Sequence, residues 1–232
     1  MDRVDPTTAS RESDAASGPR RRIAVAARPA LFAEVLALKL RGERGIEVSG
    51  VAGDEEELRL LVARGRPEVL LFDYEGLGPG AELVIRRLRR VSRATRVLVL
   101  ATRSSEETLE RVLHAGASGL VGKQQSYETL VRAIHAVSAG ELWANRVAAA
   151  HVVEHIAASP LSAGQLDERL TRREWEIVDA VGRGTRNREI ARILRISEKT
   201  VKSHLNNIFR KLRVDNRFAV GLYSLERNRE RA

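Results

Sequence analysis

Three groups of residues have side chains suited to chemistry. The stretch "VLLFDYEG" at 69–76 is an apolar run ending in one carboxylate, Asp73, followed by an acidic, glycine-marked turn. A lone acid at the end of a buried strand is either a reactive group or a satisfied charge, and its neighbours decide which. The stretch "HVVEH" at 151–155 sets His151 and His155 one helical turn apart around Glu154, the spacing of an inverted zinc-peptidase motif. That chemistry needs a third protein ligand and a cleft, so a short Ala-rich segment beside a linker is expected to be only a connecting helix. The third group lies in "EKTVKSHLNNIFRKL" at 198–212. At ~100° per residue, Val201, Leu205, Ile208 and Leu212 share one side, while Lys199, Ser203, Asn206 and Arg210 take the other with Lys202 flanking. The polar side carries only groups that donate to phosphates or read base edges. After Glu198 no acid appears until Asp215.

The elements that must hold these groups follow from the apolar periodicity. Short, β-branched, turn-bounded runs at 22–27, 46–52, 68–73, 96–101 and 118–122 read as strands. Between them lie segments with apolar residues at three- and four-residue intervals, which read as helices. Five strands each followed by a helix predict an α/β fold, a doubly wound five-stranded parallel sheet, over residues 22–140. In such sheets the working crevice lies at the carboxyl ends of the strands, where Asp73 falls. Residues 141–156 predict one more helix, and 157–168, "AASPLSAGQLDE", a linker; the connecting segment is thus 141–167. From 168 to 232 everything reads as helical. Thr171 and Glu174 form a capping-box start, Thr185 is expected to cap the next helix, and Ser197 the one after it. Two short helices so tightly joined predict a helix-turn-helix.

Composition narrows the classes. The 232 residues suffice for two domains, and the absence of cysteine excludes disulfides, thiolate zinc sites and cysteine nucleophiles. No apolar run approaches a membrane span, and residues 1–21 read as a disordered tail, so a cytoplasmic protein is expected. From Glu168 onward there are 17 Lys+Arg against 9 Asp+Glu, a net +8 of the chain's +9. A near-neutral domain tied to a basic one is the pattern of a polyanion binder.

The segment "LTRREWEIVDAVGRGTRNREIARILRISEKTVKSHLNNIFRKLRVDNRFAV" closely resembles the DNA-binding domain of LuxR/NarL-type transcription regulators, its motifs falling in order and at the family's spacing. The resemblance implies double-stranded DNA and a homodimer as partners, with Lys202, Ser203 and Asn206 facing bases and Lys199, Thr200, Arg210 and Lys211 holding phosphates. Residues 217–225 resemble the family's dimerisation helix; Phe218, Val220, Leu222 and Tyr223 suit that role or an ordinary core equally. With this partner, the first domain resembles the flavodoxin-like receiver of two-component response regulators. "ARPALFAEVL", "PEVLLFDYEGLGPGAELV" and "HAGASGLVGK" match its landmarks in order. Asp73 stands at the phosphoacceptor position, and Lys123 at that of the lysine that pairs with the phosphoryl group.

The departures from the receiver pattern matter more. The acidic pair that holds Mg²⁺ is replaced by Ala26 and Ala27. The hydroxyl residue that bonds the phosphoryl oxygen is replaced by Ala101, and the aromatic switch residue by Leu120. Mg²⁺ needs carboxylates, and phosphoryl transfer depends on neutralising charge, so Mg²⁺ binding is expected to be weak or absent and no cofactor is expected. Asp73 is therefore expected to pair with Lys123 unmodified, in a non-enzymatic, phosphorylation-independent regulator. The alternative is a conventional response regulator activated by phosphorylation of Asp73. Arg28 and Arg103 read as solvated loop residues or, alternatively, as lining the same crevice, where they would suit a small anionic ligand; a protein is the other candidate partner at the receiver. The connection is long enough for the two domains to pack together, which the sequence leaves open.

Overall fold

The computed structural model describes residues 20–78, 80–144, 170–214 and 216–230. Five parallel strands, β1 (Arg21–Ala26), β2 (Ile46–Ala52), β3 (Val69–Asp73), β4 (Arg96–Ala101) and β5 (Gly119–Gly122), pair in the order β2-β1-β3-β4-β5. Between and after them run α1 (Ala30–Arg41), α2 (Glu55–Gly65), α3 (Ala81–Val91), α4 (Glu106–His114) and α5 (Tyr127–Ser138). The central strands are apolar on both faces because both are covered. Leu70 and Phe72 of β3 pack with α2, α3 and α4 residues such as Leu58, Ile85 and Val112. Val69 and Leu71 pack on the other side with Leu36 and Leu40 of α1 and Ile134 of α5. Asp54, Ser105 and Ser126 cap α2, α4 and α5 by accepting from the backbone three residues on.

The expected helix over 141–156 does not begin at 141. Trp143 instead lies extended beside β5, its N–H donating to Ser118 O and its carbonyl accepting from Leu120 N. A Cβ on Gly119 would stand 2.5 Å from Trp143 O, so only glycine lets the chain lie this close to the sheet edge. The rest of that helix, with His151, Glu154 and His155, and the linker and N-terminal tail up to residue 19 lie outside the described residues.

The second domain has α6 (Arg172–Gly182), α7 (Asn187–Leu194), α8 (Glu198–Leu212) and α9 (Arg217–Glu230). Ile177, Val178, Ile190, Val201, Leu205 and Ile208 build its core. Thr171 and Glu174 make both bonds of the predicted capping box, and Ser197 caps α8. Thr185 is not the cap of α7: the N-cap position falls one residue later, on Arg186, which makes no side-chain cap bond, and Thr185 uses its carbonyl to accept from Arg217.

Candidate nucleic-acid interface and aspartate crevice

Along α8 the predicted division of faces holds. Val201, Leu205, Ile208 and Leu212 are buried, while Lys199, Ser203, Asn206 and Arg210 are exposed and Thr200, Lys202 and Lys211 half-buried. Local chemistry fixes this helix. Ser197 Oγ accepts from Thr200 N at its start, and Arg213 closes it in the left-handed region at φ 56°. Lys211 differs from the rest of the predicted set. Its ammonium lies 2.6 Å from Glu174 Oε2, the same oxygen that accepts from Thr171 N at 2.8 Å and Thr171 Oγ1 at 3.0 Å. Lys211 therefore ties α8 to the start of α6, a role that charge counting along one helix does not reveal.

Part of the polar face of α8 is turned toward the first domain. Asn206 Oδ1 accepts from Arg96 at the start of β4, at 3.2 Å. Burial, together with the charges of Arg21 and Arg96, holds the Lys202 ammonium below its ordinary lysine value. Two further contacts close the domains on each other. Asn187 Nδ2 donates to Ala139 O at 2.6 Å, and Asn216 Nδ2 donates to Leu113 O at 3.1 Å and Ala117 O at 2.8 Å. Arg217 braces this seam through Asn187 Oδ1 at 2.8 Å, and burial pulls its guanidinium down to about 10. The expected dimerisation helix is part of the same contact. Phe218 and Leu222 join the first domain's α2–α4 core, with Phe218 edge-on to His114, while Val220 and Tyr223 pack inside the second domain.

At the opposite, carboxyl end of the sheet, Asp73 is fully buried. Lys123 Nζ lies 2.5 Å from Asp73 Oδ1 and 3.0 Å from a carboxylate oxygen of Glu75. The other Glu75 oxygen accepts from the backbone N–H of Thr102 at 2.7 Å. Burial would raise the Glu75 carboxyl, but the Lys123 and Thr102 hydrogen bonds hold it below the usual carboxylate range. Burial likewise works against the Lys123 charge, and its two acids outweigh it, raising the ammonium above its ordinary value. Ala26, Ala27 and Ala101 line the strand ends with methyl groups, and Leu120 is buried. Arg28 is exposed and turns its side chain to Gly53 O, and Arg103 is exposed.

A profile described as "Bacterial regulatory proteins, luxR family" matches residues 168–223. Over most of the chain, the transcriptional regulatory protein LiaR of Bacillus subtilis is 31% identical across 189 residues, 82% of this chain and 89% of LiaR. The chain belongs to the luxR family of bacterial regulatory proteins. DevR/DosR of Mycobacterium tuberculosis is 32% identical to this luxR-family chain over 192 residues, 80% of it and 85% of DevR/DosR. A structure of the Salmonella typhimurium RcsB response regulator covers 89% of this chain and 98% of its own, at 22% identity and a TM-score of 0.51, which speaks to the shared fold. This luxR-family protein is thus a transcription regulator of the response-regulator kind, a receiver followed by a helix-turn-helix domain.

Two functional groups of this luxR-family regulator escaped the sequence reading. Glu75, in the acidic turn after Asp73, and Asn216, just before the last helix, both act on parts of the chain distant in sequence. Glu174 also carries more than its cap. Burial raises its carboxyl, but Lys211 and Thr171 together hold it below the ordinary value. A carboxylate with a depressed folded pKa contributes stability above its unfolded value, and that stability is lost as pH falls through the folded one. Glu174→Gln is expected to remove roughly 3 kcal/mol of stability from the second domain at neutral pH. It should also flatten the dependence below the ordinary glutamate pKa. Urea titrations at several pH values check both.

Proposed function

We propose that this regulator binds double-stranded DNA as a homodimer through Lys199, Thr200, Lys202, Ser203, Asn206 and Arg210 of α8, and that its receiver works without aspartyl phosphate. The observation that carries the first part is a helix buried along Val201, Leu205, Ile208 and Leu212 whose other face offers only cations, amides and hydroxyls. DevR/DosR is itself named a DNA-binding transcriptional activator. Lys211, held by Glu174, contributes as a brace for α8. In the closed arrangement Asn206 and Lys202 of the DNA-reading face meet the receiver while Lys199, Ser203 and Arg210 stay exposed, so full engagement of DNA requires the domains to part, which also frees Phe218 and Leu222 for a second copy. On α1 the exposed Leu31, Val35 and Leu38, spaced four and three residues apart, form an apolar stripe that suits the same partner.

The second part rests on Asp73. It is sealed from solvent, and its nearest charge is an ammonium already shared with Glu75. The donor set does not fit Mg²⁺, which takes several oxygen ligands in near-octahedral geometry. Ala26 and Ala27 offer methyl groups, and Lys123 places a cation against both nearby carboxylates. Its kinship with transcription regulators supports reading the protein as cytoplasmic and non-enzymatic; separately, among the described residues no helix is long and apolar enough to cross a membrane.

The test is a fluorescence-anisotropy titration of the full chain on promoter DNA, repeated at rising salt. Affinity should fall steeply with salt, and Lys202→Ala or Asn206→Ala should each lower it about 5- to 100-fold. Unchanged binding in both variants overturns the interface. Acetyl phosphate with Mg²⁺, followed by intact mass, tests the receiver: gain of one phosphoryl group at Asp73 restores the conventional reading.

A further inference from the structure

We propose that Glu75 is the resident occupant of an anion site made by the Lys123 ammonium and the Thr102 N–H, an internal carboxylate standing where an external phosphoryl group would be held. The inference rests on the phosphorylation-independent reading of the crevice and gives it a structural cause.

The two donors converge from different strands. Lys123 follows β5, and Thr102 follows β4, its N–H freed as the ladder ends there. One carboxylate spans them, one oxygen at 2.7 Å from Thr102 N and the other at 3.0 Å from Lys123 Nζ. A charged acceptor shared between an ammonium and a backbone N–H is the arrangement used for oxyanions, phosphate included. Solvated acids on turns do not normally reach back to a neighbouring strand's terminal amide. This one does because of the residue after it. A Cβ on Gly76 would lie 2.5 Å from Asp73 Oδ2 and 2.7 Å from Arg28 N, so only glycine lets the turn fold flat over the aspartate. Gly76 N then donates to Asp73 Oδ1 at 3.1 Å, and Asp73 Oδ2 is left buried without a hydrogen-bond partner. The turn "DYEG" thus closes the aspartate in and swings the next acid into the anion site above it. The retained lysine has a continuing task, since it neutralises two carboxylates rather than one.

Inorganic sulfate is the probe, because it is a tetrahedral dianion that cannot be transferred. In the ¹⁵N-labelled full chain, Glu75→Ala should make the Thr102 amide resonance shift saturably with sulfate. The same variant's Tm should rise by roughly 3–6 °C at about ten times the dissociation constant. The wild-type Thr102 amide should not respond, and adding Lys123→Ala to the variant should abolish the response. Glu75→Gln, which keeps an acceptor for Thr102 and the shape of the turn, should respond more weakly than Glu75→Ala and serves if the latter does not fold. The proposal is overturned if the Thr102 amide of the folded variants ignores sulfate, or if the wild type responds as strongly as they do. Phosphorylation of wild-type Asp73 by acetyl phosphate would sink the parent reading instead, and its readout, the intact mass, is separate from this titration.

Discussion

Asn216→Asp is expected to raise the affinity of the full chain for promoter DNA by about tenfold or more. Asn216 has two jobs with separable atoms. Its Oδ1 accepts from Ala219 N at 2.8 Å, capping α9, and its Nδ2 donates to Leu113 O and Ala117 O of the receiver. Aspartate caps a helix as well as asparagine does, so α9 keeps its start. What is lost is the donor to two buried carbonyls, and a carboxylate is placed against them instead. A buried acceptor left without its donor costs roughly 1–3 kcal/mol, and a charge more. That penalty falls on the closed arrangement alone. Apparent DNA affinity is the intrinsic affinity scaled by the fraction of open molecules, so destabilising the closed form raises it up to the limit where every molecule is open. Anisotropy titration reads the affinity, and small-angle scattering reads the accompanying expansion. Unchanged affinity with an unchanged radius would show that the seam does not gate the recognition helix.

The seam also explains why opening is within reach of a ligand. Under the proposed base-reading role, Asn206 would have to give up the bond it accepts from Arg96, so receiver and DNA would compete for one residue and each would weaken the other's hold. Lys202 faces Arg21 and Arg96, like charges that oppose closure and that a polyanion would relieve. All of this lies at the amino-terminal end of the strands, where β4 begins. The crevice with Asp73, Lys123 and Glu75 lies at the other end. A signal that moves the crevice must therefore travel through the sheet or α4 to reach α8. A chain reaches part of that distance: Tyr74 donates to Glu82 at 2.7 Å, and Arg111 of α4 donates to the same hydroxyl at 2.7 Å.

How far the sequence carries depends on the range of the interaction. All five strands lie within one residue of the sequence reading, because short β-branched runs bounded by turn residues are local signals. The faces of α8 follow for the same reason. The cap at Thr185 fails by one residue because the backbone there is shaped by Arg217, thirty-two residues on, rather than by its own hydroxyl. Residues 141–144 pattern like helix, yet the open edge of β5 takes Trp143 as a partner, and pairing with the sheet prevails over local preference. Glu75, Asn216 and Lys211 are the residues whose roles stay hidden, since each acts on a group brought near only by folding. Asp73 with Lys123 was legible through resemblance to the receiver family; the carboxylate lying between Lys123 and Thr102 was not.

Lys123→Ala should damage the receiver's stability as much as truncating one of its large core side chains. Asp73 has no exposed side-chain surface, and Lys123 is only a quarter exposed at the side chain. Removing one partner of a buried pair typically costs about 3–5 kcal/mol, because the other charge stays buried without compensation. Here two carboxylates lose their shared cation at once. The two tryptophans make the effect readable by domain: Trp143 lies against β5, while Trp175 stacks on Tyr223 in the second domain. In a Trp175→Phe background, urea unfolding followed by fluorescence reports the receiver. Asp73→Asn added to Lys123→Ala should recover a large part of the loss, since the buried charge goes with it, whereas Asp73→Asn alone should be mild because Lys123 keeps Glu75. The pH dependence has a definite sign at each end. Lys123, raised in the fold, contributes fully below its unfolded value, and that contribution disappears as pH rises through the folded one. Glu75, depressed in the fold, contributes above its unfolded value, and its share goes as pH falls through the folded one. Wild-type stability should therefore decline toward both extremes, and Lys123→Ala should weaken the decline at each end, the alkaline remainder coming from Tyr74 and Tyr127, whose hydroxyls are also raised in the fold. A loss below about 1 kcal/mol, or no recovery in the double variant, would mean that water already reaches the pair and that the crevice is open enough for a phosphodonor to enter.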